Sequence, residues 1–142
     1  MNDLIVRDNI KIEDLIYEVR GKQVMLDSDL AMLYECKNGT KEINQAVKNN
    51  IEKFPERYSF KLTDIENNIL LVKSFDQKVE KRGGKYKNPR VFTEQGVYML
   101  ATILKSKAAL GMTMAIMDAF VVMKKYINTS LIEQRYFNEL TI

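Results

Sequence analysis

Asp29-Leu30-Ala31-Met32-Leu33-Tyr34-Glu35-Cys36-Lys37-Asn38-Gly39-Thr40-Lys41-Glu42-Ile43-Asn44-Gln45-Ala46-Val47-Lys48-Asn49-Asn50 reads as two short helices around a turn. Leu30, Leu33 and Tyr34 give the first helix a packing face, and Ala31 is small enough for close helix approach. Lys37-Asn38-Gly39 is expected to break that helix, because Asn and Gly tolerate positive φ. Thr40 is the expected cap of the second helix, running to about Asn50. At 100° per residue, Ile43, Ala46, Val47 and Asn50 fall on one side of that helix, with Ile51 at the edge. Lys41, Gln45, Lys48 and Glu52 fill the opposite side, flanked by Asn44 and Asn49. Amides can pair with adenine edges and lysines with guanine edges or phosphates, so this face has the chemistry of major-groove readout. The plainer reading is a surface helix with a solvated polar face; the turn is also about two residues longer than a helix-turn-helix usually has.

Working outward, Ile16-Tyr17-Glu18-Val19 and Gln23-Val24-Met25-Leu26 are β-prone runs around Arg20-Gly21-Lys22, which predicts a hairpin turning at Gly21. Asp27 or Ser28 is then expected to cap the first helix. The pair Asp27 and Asp29 also has the form of a Mg²⁺-binding D-x-D, but at a helix start acidic residues serve the free N–H groups and the dipole. Beyond the reader segment, Pro55 interrupts the helix and Tyr58 to Leu62 alternates as a strand. Thr63-Asp64-Ile65-Glu66 is a capping-box pattern, which predicts a helix with Ile65, Ile69 and Val72 on its inner face. Val91-Phe92 is a short strand and Thr93 caps a helix carrying Val97, Leu100, Ala101 and Leu104 on one face. A last helix from about Lys107 to Ile127 is apolar on most sides, which suits a central core position or a dimer interface. The expected class is α+β: a small domain with short β-hairpins and a helix-turn-helix-like pair, closed by a long apolar C-terminal helix.

Between these elements, Lys78 to Arg90 carries Lys78, Lys81, Arg82, Lys85, Lys87 and Arg90 against Glu80, around Gly83-Gly84. Such an arm could follow a phosphate backbone and release counterions, or simply keep a loop solvated. The chain of 142 residues, 46% hydrophobic, fits one core-forming domain, and a net charge of +3 is only mildly basic. The single Cys36 allows no internal disulfide, and with no histidine neither the usual N/S zinc site nor a His-based catalytic dyad or triad can be built. No apolar run reaches the roughly 18 residues of a membrane span, and the N-terminus lacks the order of a secretion signal. A cytoplasmic protein without cofactor or metal is expected.

Gly21 to Ala31, Leu33-Tyr34, Ile43 to Asn50, Lys53-Phe54-Pro55, Phe60-Lys61-Leu62 and Phe92 to Leu100, ending near Ile116 to Val121, together resemble the ORF-six N-terminal domain family of phage and prophage proteins, which is related to the KilA-N domain. The resemblance spans about residues 16–125. It implies an α+β module that binds double-stranded DNA within a regulatory, antirepressor-type protein of a bacterial cell, nucleoid-associated, with no enzymatic activity. Within it, Asn49 stands where the family often has a cation, and Asp118 where a basic residue is frequent. The expected organisation is a domain over residues 1–128 and a short C-terminal tail over 129–142. Expected DNA contacts are Lys41, Asn44, Gln45 and Lys48 in the major groove, Asn49 beside them on the DNA-binding face, and Lys81, Arg82, Lys85, Lys87 and Arg90 on phosphates, with Arg57 and Lys61 as further phosphate candidates. A homodimer through the C-terminal helix is a further expectation. The alternatives are a module that binds a repressor or other protein partner, and a metal-dependent nuclease using Asp27 and Asp29.

Overall fold

The computed structural model describes residues 5–6, 10–73, 88–104 and 107–140, with side chains over 11–70, 88–104 and 108–126. A short ribbon pairs β1 (Ile5–Val6) with β2 (Ile10–Lys11). The main sheet holds β3 (Ile16–Val19), β4 (Lys22–Leu26), β5 (Ser59–Lys61) and β6 (Arg90–Thr93) in the antiparallel order β3-β4-β6-β5. The helices are α1 (Asp27–Leu33), α2 (Thr40–Asn49), α3 (Asp64–Lys73), α4 (Glu94–Leu104) and α5 (Lys107–Leu140). This is the α+β class that the pattern predicts. The last helix continues well past the expected end at Ile127.

The β3–β4 hairpin turns through Arg20 at φ 56° and Gly21 at φ 73°. Two successive positive φ values match the right-handed twist of the flanking strands, and Gly21 takes its value at no steric cost. Side chains alternate across the sheet, and both faces are covered. Met25 and Phe92 join Leu30, Ile43, Val47, Val97, Leu100, Ile116 and Phe120 in the larger core. Their neighbours Val24, Leu26 and Val91 point the other way, into a smaller core with Val19, Phe60, Leu62 and Leu70. Double coverage is why Val24-Met25-Leu26 is an unbroken apolar run rather than an alternating one.

The α1–α2 connection differs from expectation at both ends. The residue before α1 is Leu26, which provides no side-chain cap, so neither Asp27 nor Ser28 is the cap; both lie within the first turn. The helix ends before Lys37: Cys36 N–H donates to Ala31 O at 2.9 Å and Glu35 N–H to Met32 O at 3.1 Å, with Glu35 at φ 55°. This is a Schellman closure with Glu in the position glycine usually takes. Gly39, at φ 61°, precedes α2, so Thr40 is the first helical residue and not the cap.

Both later caps form as the pattern predicts. Thr63 N–H donates to Glu66 Oε1 at 2.9 Å and Glu66 N–H to Thr63 Oγ1 at 3.2 Å. Gly96 N–H donates to Thr93 Oγ1 at 3.2 Å. The inner face of α3 is a correction: Ile65 is 72% exposed and Ile69 51% exposed, while Asn67 and Leu70 are buried. Glu66 is held by Arg20 of the hairpin turn and Asn67 by Asn88, and these polar anchors set the helix rotation. The side chain of Val72 lies outside the described residues.

Gly96 brings α4 against Tyr58, the residue that leads into β5. A Cβ there would lie 1.9 Å from the carbonyl oxygen of Tyr58. The same carbonyl accepts from the Thr93 N–H at 3.0 Å and the Thr93 hydroxyl at 3.2 Å. Only a residue without a side chain permits that approach.

Candidate nucleic-acid interface

The helix α2 stands between two recesses, one along each flank. On the sheet side, Lys48 meets Lys61 from β5 and Arg90 from β6 around a cavity of about 380 Å³ completed by Asn44, Val47 and Ile51. Lys61 and Arg90 are direct cross-strand partners, an arrangement of like charges that is unfavourable for the sheet. Lys48 and Lys61 are exposed, and among the described residues none of the three cations forms an ion pair. The Arg90 guanidinium is half-buried and donates to Ser59 Oγ at 3.0 Å. Burial pushes its pKa down, opposed by the charge of Asp27. The recess therefore gathers three cations, of which Arg90 alone feels a nearby carboxylate, Asp27, and none is in an ion pair among the described residues.

Asp27 is the brace of this site. It is buried, and its Oδ2 accepts from Asn44 Nδ2 at 2.9 Å and from the Arg90 backbone N–H at 3.2 Å. One carboxylate thus ties α1, α2 and β6 together. Asn44 also donates to Thr40 O at 3.1 Å. Its amide is spent within the fold, where the wheel had placed it beside the outward face. No signal in the sequence marks Asp27 as its partner, since the contact depends on how α1 and α2 cross.

The opposite flank is a recess of about 510 Å³ where Lys41, Gln45 and Asn49 face Ile103 and Leu104 at the end of α4. Gln45 Nε2 donates to Asn49 Oδ1 at 2.9 Å, and both residues are exposed. Arg57 is elsewhere: it lies 5.3 Å from the centre of the Tyr58 ring and borders a different recess with Lys22, Gln95 and Lys124. Lys81, Arg82, Lys85 and Lys87 lie outside the described residues; Arg90, the last cation of that stretch of sequence, is at the cationic flank. Ile51 was missed as a site residue; it lies at the edge of the wheel and is 55% exposed in the cationic recess.

Among the described residues no group of three His, Cys, Asp or Glu side chains is placed to hold a metal ion, and no helix is long and apolar enough to cross a membrane. The Cys36 thiol is half-buried, and burial raises its pKa, which leaves it in the protonated, poorly nucleophilic form.

Fold and site together define a small α+β domain that presents an amphipathic helix beside three cations in no ion pair among the described residues. The ORF6N domain model matches residues 14–103, and the chain belongs to that phage-associated family. The matched span includes the sheet, both flanks of α2 and nearly all of α4, and stops before α5. Neither the curated proteins nor the solved structures gave a match.

Proposed function

We propose that this chain is a non-enzymatic, duplex-DNA-binding regulatory protein of phage or prophage origin, of the antirepressor type. The observation that carries this reading is the convergence of Lys48, Lys61 and Arg90 on one recess beside α2 with no ion pair among the described residues. Cations held against one another across a sheet and beside a helix are stabilised by a polyanion such as a phosphate backbone. In this reading α2 lies along the major groove with its cationic flank on one strand's backbone. The decisive experiment titrates labelled duplex with the protein across a salt series. Affinity should fall with salt at a slope of roughly −0.9 per phosphate neutralised. Absence of binding at low salt refutes the reading.

A second reading, a protein-interaction surface, is favoured by α5. Leu110, Met114 and Val121 are 63%, 61% and 53% exposed along one side of the helix, at spacings of four and seven residues. That is the repeat by which helices pair, so a second copy of this chain would suit it, and a two-fold dimer would suit a palindromic duplex. Light scattering on the purified chain and on Met114→Glu tests this: the variant should be monomeric where the parent is dimeric.

A further inference from the structure

Gln45 and Asn49 differ from the other amides of α2. Asn44 Nδ2 is consumed by Asp27 and Thr40, and Asn50 Nδ2 donates to the Ala46 carbonyl at 2.9 Å. The Gln45–Asn49 pair is instead exposed and closed on itself, one turn apart on the outward face. At 100° per residue, Gln45 stands about 60° round the helix from Lys48 and about 40° from Asn49. A helix that rests Lys48 on a phosphate therefore turns Gln45 toward the groove floor.

The hydrogen bond settles what Gln45 can offer. One N–H of Nε2 goes to Asn49 Oδ1, which leaves one N–H and Oε1 of this exposed side chain to offer a ligand. A single donor beside a single acceptor is complementary to the major-groove edge of adenine, which presents the N6 amino donor beside the N7 acceptor. It is mismatched to guanine, whose O6 and N7 both accept. A free glutamine must be ordered from many rotamers to make a bidentate contact, whereas this one is already tethered. We infer that Gln45 is the base-reading residue of this domain, that it selects adenine, and that Asn49 is its positioning residue. This rests on the duplex-binding reading above.

The test is selection of bound duplexes from a random pool by the full chain, by Gln45→Ala and by Asn49→Ala, followed by binding of the selected duplex with 7-deazaadenine at the preferred position. The parent should enrich an adenine at one fixed position, and removing its N7 should weaken binding about tenfold or more. Gln45→Ala should lose the preference there while keeping the salt slope. Asn49→Ala should broaden the preference at that same position, again with the slope unchanged, a readout that a purely structural role would not move. Binding that is equally tight to all duplexes, or a preference that survives Gln45→Ala, overturns this inference and leaves the duplex-binding reading standing. No retention of any duplex overturns both.

Discussion

Arg20 at the β3–β4 turn and Arg90 at the start of β6 belong to one sheet but have opposite surroundings. The Arg20 guanidinium grips Glu66 through two bonds of 2.7 and 3.0 Å, reaches Glu56 at 3.1 Å and lies 4.0 Å from the centre of the Phe60 ring. Its charge is used to dock α3 on the hairpin. Arg90 has a serine for its side-chain partner, a lysine directly across the strand pair and Lys48 across the recess. Asp27 is near, but its carboxylate holds the Arg90 backbone and the Asn44 amide. Among the described residues, carboxylates form ion pairs with the guanidinium at the Arg20 corner and not with that of Arg90. Cations outside an ion pair beside a helix are available to a partner; cations in a bidentate pair are not.

The comparison can be broken most severely at the brace. Asp27→Ala removes the acceptor of the Arg90 N–H and one of the two acceptors of the half-buried Asn44 amide, and unfolding in urea should show a loss of about 2–3 kcal/mol. The Arg20 corner should respond less. Glu66→Ala removes a capping box and a partly exposed ion pair, and the expected cost is about 1–2 kcal/mol with duplex affinity unchanged. Acid sharpens the same point. Arg20, and then the Thr63 N–H, hold the Glu66 carboxyl at about 2, below its ordinary 4.5. A lowered folded-state pKa means the contribution is complete above the ordinary carboxylate value and is lost as pH falls toward 2. Glu66→Gln should therefore flatten the stability profile between those values, measured by thermal melting at stepped pH. The smallest expected stability effect has an inverted sign. Lys61→Glu gives Arg90 an opposite charge across the strands and should stabilise the domain by roughly 0.5 kcal/mol. The same change should abolish duplex binding at moderate salt, a trade of stability against function.

The parts legible in the sequence were those decided by neighbours in the chain. The Arg20-Gly21 turn, the Thr63/Glu66 capping box and the Thr93 cap each involve residues within a few positions, and all appear as the pattern indicates. The inner face of α3 was misread because periodicity rewards isoleucines, while Arg20 and Asn88, both remote in sequence, fix its rotation. The closure of α1 was placed too late because Glu35 adopts a positive φ that its residue type does not announce. For the site, the polar face of α2 was visible, but which amides remain free was not. Asn44 and Asn49 look equivalent on a wheel; only the packing of α1 shows that one is a brace. The juxtaposition of Lys61 with Arg90 depends on strand register between β5 and β6, which no local pattern encodes.

The contact of Gly96 with the Tyr58 carbonyl has a bearing on how such a domain can diversify. The residue that leads into the strand carrying Lys61 and the helix that walls the amide flank meet there, with the Tyr58 backbone as the nearest neighbour. Surface positions on α2 can vary one at a time, each trial costing little, and so explore new targets. Position 96 has no such freedom: a Cβ there meets the Tyr58 carbonyl, so even alanine must displace the backbone that leads into β5. A library built to retarget this protein should therefore randomise the outward face of the helix and leave that glycine alone.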